Sequence, residues 1–348
     1  MGGIADVARL AGVSKSTASR ALTGSGYVSE DTRRRVADAA TSIGYVPSTS
    51  AVSLATGRLG SIGVVMPTVS RWFFAEVLEG VQSALLEHDL DLTLYTASPG
   101  SPDRRRILEQ YLPRRRFDGL IAVGLEPSDE ERERLKQLGR PVVSIVGEPG
   151  TEGVVAIDDV HAARRATEHL IALGHRSIAF LGGDADGYWE HVDRLRLRGY
   201  REAMADAGLS GYDRHVRSEI TMPAGYAAAV DLLGETRRRP TAIVAACDEV
   251  AIGAIIAARR LAIAVPAELS VVGIDDHEFA EMFALTTLEQ VPREQGRIAV
   301  DMLVQAIEDP ERRPQDVRLQ SRLIVRNTTA PLNPATAVTV SDTGLARD

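Results

Sequence analysis

The chain has 348 residues, a formal net charge of −8, 44% hydrophobic residues and a single cysteine, Cys247. That length exceeds one small core and fits a small module joined to a larger body. One cysteine excludes a disulfide framework within the chain. No apolar run is long enough to span a bilayer, and no cationic-then-apolar leader opens the chain, so a cytoplasmic setting without a membrane partner is expected.

Charge is unevenly distributed. Residues 1–58 hold seven Lys/Arg and four Asp/Glu, a net of +3, so the remainder holds about −11. Such asymmetry suits one module built to approach phosphate. Within it, Ile4, Val7, Ala8 and Ala11 repeat at helical spacing. Gly12 supplies a sharp turn, and Ser14 is placed to cap a second helix whose Ala18, Ala21 and Leu22 face inward. Lys15, Ser16, Ser19 and Arg20 then face out. A third helix runs from a Ser29 cap to about Ile43, with Val36, Ala39 and Ala40 on its buried stripe, and Gly44 ends it. The pattern is a helix-turn-helix bundle with a polar, cationic face.

Pro47 closes that unit, and Ser48 or Thr49 can cap the next element. Ala51, Val52, Leu54 and Ala55 would form an apolar helix of about ten residues, which alone in water is marginal because nucleation is costly. From residue 61, β-rich runs at 62–66, 92–95, 120–123 and 142–146 alternate with helical stretches at 75–87, 104–112 and 129–138. A second round comes after them, with strands at 177–181, 216–218, 243–246 and 271–274 and helices at 161–173, 194–207, 224–233 and 249–260. The fold class expected is α/β: an all-α headpiece joined to two similar lobes with parallel sheets. Such sheets place ligands at the carboxyl ends of their strands.

Two strings carry a resemblance. The Ala5-Asp6-Val7-Ala8, Ala11-Gly12-Val13-Ser14 and Thr17-x-Ser19-Arg20 segments, together with Gly44-Tyr45-x-Pro47 and Ser53-Leu54-Ala55, make the chain resemble the LacI-type (lactose repressor) transcriptional regulators from about residue 4 to about residue 328. The resemblance implies a headpiece over 1–46, a hinge over 47–60 and a two-lobed periplasmic-binding-protein-like effector and dimerisation domain over 61–328; the last twenty residues, 329–348, rich in Pro, Thr and Ala, read as a mobile tail. It implies crossings between lobes near 158, 289 and 318, with a helix over 293–307 returning to the first lobe. It also implies that Leu54, with Ala51 beside it, enters the minor groove at the operator centre, where such wedges kink DNA.

On that reading the DNA-binding residues are Lys15, Ser16 and Arg20 at base edges, and Thr17, Ser19, Thr23, Tyr27, Ser29 and Thr32 around them, largely on phosphates. The effector pocket would be lined by Phe73, Phe74, Trp189, Arg196, Cys247, Asp275 and Gln290. A planar donor fork, a carboxylate and an amide among aromatic faces suit a polyhydroxylated ring. Quieter roles stay open: Arg196 and Asp275 could pair with each other or with neighbours, Trp72, Phe73, Phe74 and Trp189 could be packing aromatics, and Cys247 could be a packed thiol. Asp248 could hold the arginine or, preferably, cap the helix after it.

Departures from the family pattern are local. Gly3 replaces a capping Thr or Ser, and Lys15-Ser16 replaces the pairs that set base preference elsewhere. Val123 and Val146-Gly147 replace polar or acidic strand-end residues, which favours a two-ring sugar over a nucleobase. No catalytic residues, metal ligands or cofactor are expected: no phosphate-binding Gly-rich loop is present, and the seven His are scattered. The expectation is a repressor that binds a near-palindromic double-stranded operator as a homodimer, with a tetramer left open, and is released by a mono- or disaccharide. A regulator strengthened by a corepressor, and a solute-binding protein with a vestigial headpiece, remain as alternatives.

Overall fold

The computed structural model describes residues 2–24, 26–45, 57–147, 153–183, 190–312 and 315–333. Three short helices open it: α1 (Ile4–Leu10), α2 (Lys15–Thr23) and α3 (Glu30–Ser42). With Ile4, Leu22, Ile43 and Tyr45 packed partly buried around it, their shared core has buried residues that are all Ala or Val, namely Val7, Ala8, Ala11, Ala18, Ala21, Val36, Ala39 and Ala40. Side chains this small let three helices of two to four turns approach closely. Gly12 makes the α1–α2 turn at φ +65°, a left-handed value open to glycine without steric cost.

The body is two sheets of six strands. The first is built by β1 (Ser61–Met66), α4 (Trp72–Glu87), β2 (Asp91–Thr96), α5 (Pro102–Arg106), β3 (Gly119–Val123), α6 (Asp129–Gln137), β4 (Val142–Ile145) and β5 (Gly153–Ile157). The chain then crosses into the second lobe through α7 (Asp159–Ala172), β6 (Ile178–Leu181), α8 (Glu190–Asp206), β7 (Arg214–Val216), α9 (Met222–Gly234), β8 (Ala242–Ala245), α10 (Asp248–Arg260), β9 (Ser270–Asp275) and β10 (Thr286–Glu289). Helix α11 (Pro292–Glu308) and β11 (Val317–Leu319) return to the first lobe, and β12 (Arg322–Ile324) ends in the second. The three crossings fall near 158, 290 and 320, close to the positions expected from the sequence.

The strand orders are β11-β5-β4-β3-β1-β2 and β12-β10-β9-β8-β6-β7. In chain order each lobe reads 2-1-3-4-5 plus one returning strand, the doubly wound arrangement whose ligand crevice lies at the carboxyl ends beside the order reversal. All pairings are parallel except β12 against β10. The lobes are closed in the same way by helices that nearly touch. A Cβ on Gly80 of α4 would meet the Arg293 carbonyl of α11 at 2.1 Å, and one on Gly253 of α10 would meet the Met222 carbonyl of α9 at 2.5 Å.

Several elements differ from the sequence expectation. The helix expected over 104–112 is α only to Arg106, then a π turn over Ile107–Tyr111 and a 3-10 turn over Leu112–Arg114. Pro113 sits where an α-helix would need its N–H, so the helix ends by changing its winding. β7 lies two residues earlier than expected, at Arg214–Val216. β5, β10, β11 and β12 were not expected as strands. The last two are three residues long with Arg318 and Arg322 in them, too short and charged to show alternation. Of the segment expected as a mobile tail, 329–332 are fastened to the second lobe: Thr329 Oγ1 meets His169 Nε2 at 3.0 Å, and the Leu332 N–H donates to the Leu173 carbonyl at 2.8 Å. Residues 334–348 lie outside the described residues. Among the described residues, no helix is long and apolar enough to cross a membrane.

Candidate functional site

The first surface is α2. Its N-cap Ser14 Oγ accepts from the Thr17 N–H at 3.1 Å and also meets the hydroxyls of Ser16 and Thr17 at 2.9 and 2.8 Å. Lys15, Ser16 and Arg20 are exposed, and Thr17, Ser19 and Thr23 are half-buried. Gly24, at φ +71°, stops the helix. Thr23 Oγ1 donates to the Ser19 carbonyl of its own helix at 2.9 Å. Tyr27 is 95% exposed, its ring presented to solvent among the described residues. Ser29 and Thr32 cap α3 through a 2.9 Å hydroxyl bond and a 3.4 Å bond from the Thr32 N–H. The sequence reading passed over Arg33, Arg34 and Arg35, which are all exposed along α3; the run of three basic residues was the available signal. Gly3 still caps α1, because the Asp6 carboxylate accepts from the Gly3 N–H at 2.9 Å. That bond holds the Asp6 carboxyl below its ordinary range. Ala51 and Leu54 lie outside the described residues.

The second site lies between the lobes, at the carboxyl ends of both sheets. It is a cavity of about 100 Å³, smaller than the roughly 300 Å³ at the lower end of common ligand pockets. Phe73 and Phe74 enter from the start of α4, edge to face at 5.5 Å, while Phe74 also belongs to the first lobe's core. Arg196, Cys247, Asp275 and Gln290 line the opposite and central walls. Trp189 lies outside the described residues. Six of the seven expected pocket residues therefore line one cavity.

Their bonding decides between the pairings left open. Arg196, 6% exposed, is held by Asp159 rather than by Asp275: Nε donates to Asp159 Oδ1 at 2.8 Å, and Nη1 donates to the Ala246 carbonyl. No partner of Nη2 occurs among the described residues. Asp275 instead accepts from the Gln290 amide, and Gln290 is fixed in turn by Gln295, which donates to its carbonyl at 2.7 Å. Burial pushes the Asp275 carboxyl up to about 7, with the Arg196 charge and the Gln290 bond opposing. Arg196 stays charged, since Asp159 and Asp275 outweigh its burial. Asp275 has φ +151°, a strained value of the sort found at binding sites.

Asp248 neither holds the arginine nor caps α10, whose N-cap is Cys247. It is fully buried, accepts from the His277 N–H at 2.9 Å and the Thr287 hydroxyl at 2.6 Å, and so ties the loop after β9 to β10. Burial raises its carboxyl well above the ordinary range. Burial likewise pushes the Cys247 thiol up, consistent with its place in the second lobe's core.

The sequence reading missed Asp159, Arg71, Glu126, Asp193 and Glu249, all of which line the cavity. Asp159 comes just after β5, a strand it did not recognise. Arg71 and Glu249 approach across the cleft to 3.9 Å. Trp72 of the first lobe stacks on His277 of the second with ring centres 4.9 Å apart, and the His191 N–H donates to Glu126 at 3.3 Å. Among the described residues these three contacts bridge the lobes over the cavity. No group of His, Cys, Asp and Glu that could hold a metal occurs among the described residues.

Comparison with known proteins agrees with both halves. Residues 3–48 match bacterial regulatory proteins of the lacI family, and residues 167–329 match the periplasmic binding protein-like domain. An uncharacterised HTH-type transcriptional regulator of Bacillus subtilis (strain 168), YkvZ, is 32% identical over 93% of this chain and 100% of its own length. The solved transcriptional regulator CelR–cellobiose complex is 30% identical with a TM-score of 0.68, covering 94% of this chain and 100% of that one. The lac repressor dimer bound to operator and the anti-inducer ONPF is 26% identical with a TM-score of 0.82, covering 94% and 99%.

Proposed function

Because the chain belongs to the lacI family of bacterial regulatory proteins, we propose that it is a cytoplasmic transcriptional repressor whose grip on DNA is set by a sugar bound between its lobes. The carrying observation is that one chain holds an exposed cationic helix and a buried Arg196–Asp159 and Asp275–Gln290 cleft. The first can meet a duplex and the second can grip hydroxyls, and the described groups form no catalytic constellation. Two headpieces of a homodimer read a near-palindromic operator, since a two-fold protein fits a two-fold site. Lys15, Ser16 and Arg20 read bases, and the hydroxyls around them hold phosphates. Ala51 and Leu54 of the hinge order only against a partner copy and bent DNA.

In the cleft, Arg196 Nη2 and the Asp275 carboxylate offer one donor and one acceptor to ring hydroxyls, while Phe73 and Phe74 cover a C–H face. The volume of about 100 Å³ fits one sugar ring better than two, so a disaccharide requires the lobes to stand further apart. A ligand shifts DNA affinity only as far as it prefers one arrangement of the lobes. The test is a titration of the protein on genomic fragments at several salt concentrations, with and without a panel of mono- and disaccharides. Specific binding abolished by one sugar is the expected result. Binding that a ligand strengthens would replace the inducer by a corepressor, and absence of any specific binding would overturn the regulator reading.

A further inference from the structure

The first lobe carries arginines that neither the headpiece nor the cleft uses. The segment from α5 to β3 has Arg104-Arg105-Arg106 at one end and Arg114-Arg115-Arg116 at the other. Arg104 is engaged: it is buried, pairs with Glu131 at 2.8 Å and donates to the Leu125 and Glu126 carbonyls. Arg106, Arg114, Arg115 and Arg116 are exposed, and none has a carboxylate partner among the described residues. Arg115 Nη2 donates to the Gln137 carbonyl at 3.0 Å, which orients the fork without neutralising it. The Arg106 and Arg114 guanidinium groups lie over the Tyr111 ring at 5.3 and 4.5 Å. Tyr111 is itself buttressed edge-on by Tyr95 at 6.4 Å. Stacking of this sort fixes a cation in place and leaves its charge intact.

Their position gives the patch its meaning. Arg114, Arg115 and Arg116 run into the amino end of β3, and every strand of this sheet is parallel. These three arginines therefore lie at the edge opposite the cleft, whereas Arg106 follows Arg104, which reaches carbonyls beyond the carboxyl end of β3. The same edge receives the chain from the headpiece: both Asp118 oxygens accept there, from the Leu59 N–H at 3.0 Å and the Gly60 N–H at 2.8 Å. Residues 46–58 separate this anchored entry from the headpiece, at most roughly 50 Å of fully extended chain. A duplex gripped by α2 is thus within reach of the arginines. A cluster of exposed cations raises the local positive potential and attracts anions to this edge.

Resting on the regulator reading above, we propose that this edge is a second DNA-backbone site, in which Arg114, Arg115 and Arg116 contact phosphates that α2 does not reach. The site adds affinity and salt dependence without sequence preference. The experiment compares full-length wild type with R114Q/R115Q/R116Q and with R114K/R115K/R116K on one operator fragment, over a range of salt. Removing one phosphate interaction lowers the slope of log K against log salt by about 0.9 and, near 0.1 M salt, costs on the order of tenfold in affinity. The glutamine triple is expected to show at least that reduction per subunit, with unchanged sugar binding and unchanged tryptophan fluorescence. The lysine triple is expected to keep the wild-type slope.

An unchanged slope in the glutamine triple overturns the site, and directs attention to an acidic protein surface as its partner. A lysine triple whose slope falls as far as that of the glutamine triple also overturns it, because the arginines would then be structural. Failure of wild type to bind any operator overturns the regulator reading itself, a result distinguishable from both.

Discussion

Helix α2 and the interlobe cleft are both polar surfaces, yet they are built in opposite ways. The outward residues from Ser14 to Tyr27 come from one short stretch, and their support is a core of Ala and Val on the far side of the same helices. Asp159, Arg196, Asp275 and Gln290 come from α7, α8, the end of β9 and the crossover after β10, and each is buried. The difference decides what a substitution does. A group on α2 faces water before it faces DNA, so changing it alters recognition and spares the fold. A group in the cleft is desolvated in the folded chain, so changing it alters both.

The largest effect is expected from removing one buried charge. Arg196→Met leaves the Asp159 carboxylate without its 2.8 Å partner. Breaking such a pair from one side typically costs about 3–5 kcal/mol. Urea unfolding of the body should shift by that amount and sugar binding should vanish. The folded fraction should keep operator binding in the absence of sugar. A loss below about 1 kcal/mol would break the contrast, because it would mean that water already reaches the pair.

Asp275 sharpens the same point through pH. Its carboxyl lies at about 7 in the folded chain against an ordinary value of 3.8. Between those values the folded chain holds a proton that the unfolded chain has released, so stability falls as pH rises through this window and levels off above about 7. One such proton sets a slope of at most about 1.4 kcal/mol per pH unit. Asp275→Asn should flatten the wild-type slope by that share, leaving the part due to Asp248, whose shift has the same sign. Equal slopes in the two proteins would show that Asp275 is ionised throughout.

On α2, Arg20→Ala is expected to weaken operator binding by about 1–3 kcal/mol. The unfolding midpoint should stay within experimental error, since the side chain is exposed and has no carboxylate partner among the described residues. A matching fall in stability would erase the distinction between the two surfaces.

The same contrast explains what could be read from the sequence. The headpiece was legible because cap, turn and recognition face occupy consecutive residues: Ser14, Gly12 and Lys15 to Arg20 announce one another. Strands buried on both faces, such as β3 and β9, were legible as apolar runs. Most of the cavity residues came from family likeness combined with the rule that ligands sit at strand ends. What escaped was pairwise and non-local. Which acid holds Arg196 depends on β5 and α7, and a strand beginning at Gly153 without polar alternation gives no periodic signal. Asp248 stands beside Cys247 in sequence, yet its partners His277 and Thr287 come from a loop and strand that only the sheet brings near. The arginines before β3 were visible as a basic triplet, but their edge was not, since it depends on strand direction.

The smallest effect tests the exposed surface most finely. Ser14 Oγ accepts from the Thr17 N–H and also meets the hydroxyls of Ser16 and Thr17, so it caps α2 and orders the face beside Lys15. Ser14→Ala should cost about 1 kcal/mol of local helix stability, which is roughly fivefold faster amide exchange at Thr17 and Ala18, with no change in the urea transition of the body. Ser14→Asp separates the two roles. A carboxylate caps a helix as well as a hydroxyl does and interacts favourably with its amino end, so exchange should return to the wild-type rate. The added negative charge would meet phosphate at the mouth of the recognition helix, so operator affinity should fall below that of the alanine variant. If the aspartate variant instead recovers both exchange and affinity, the amino end of α2 does not approach the DNA backbone, and the recognition face must be turned toward Arg20 and Tyr27.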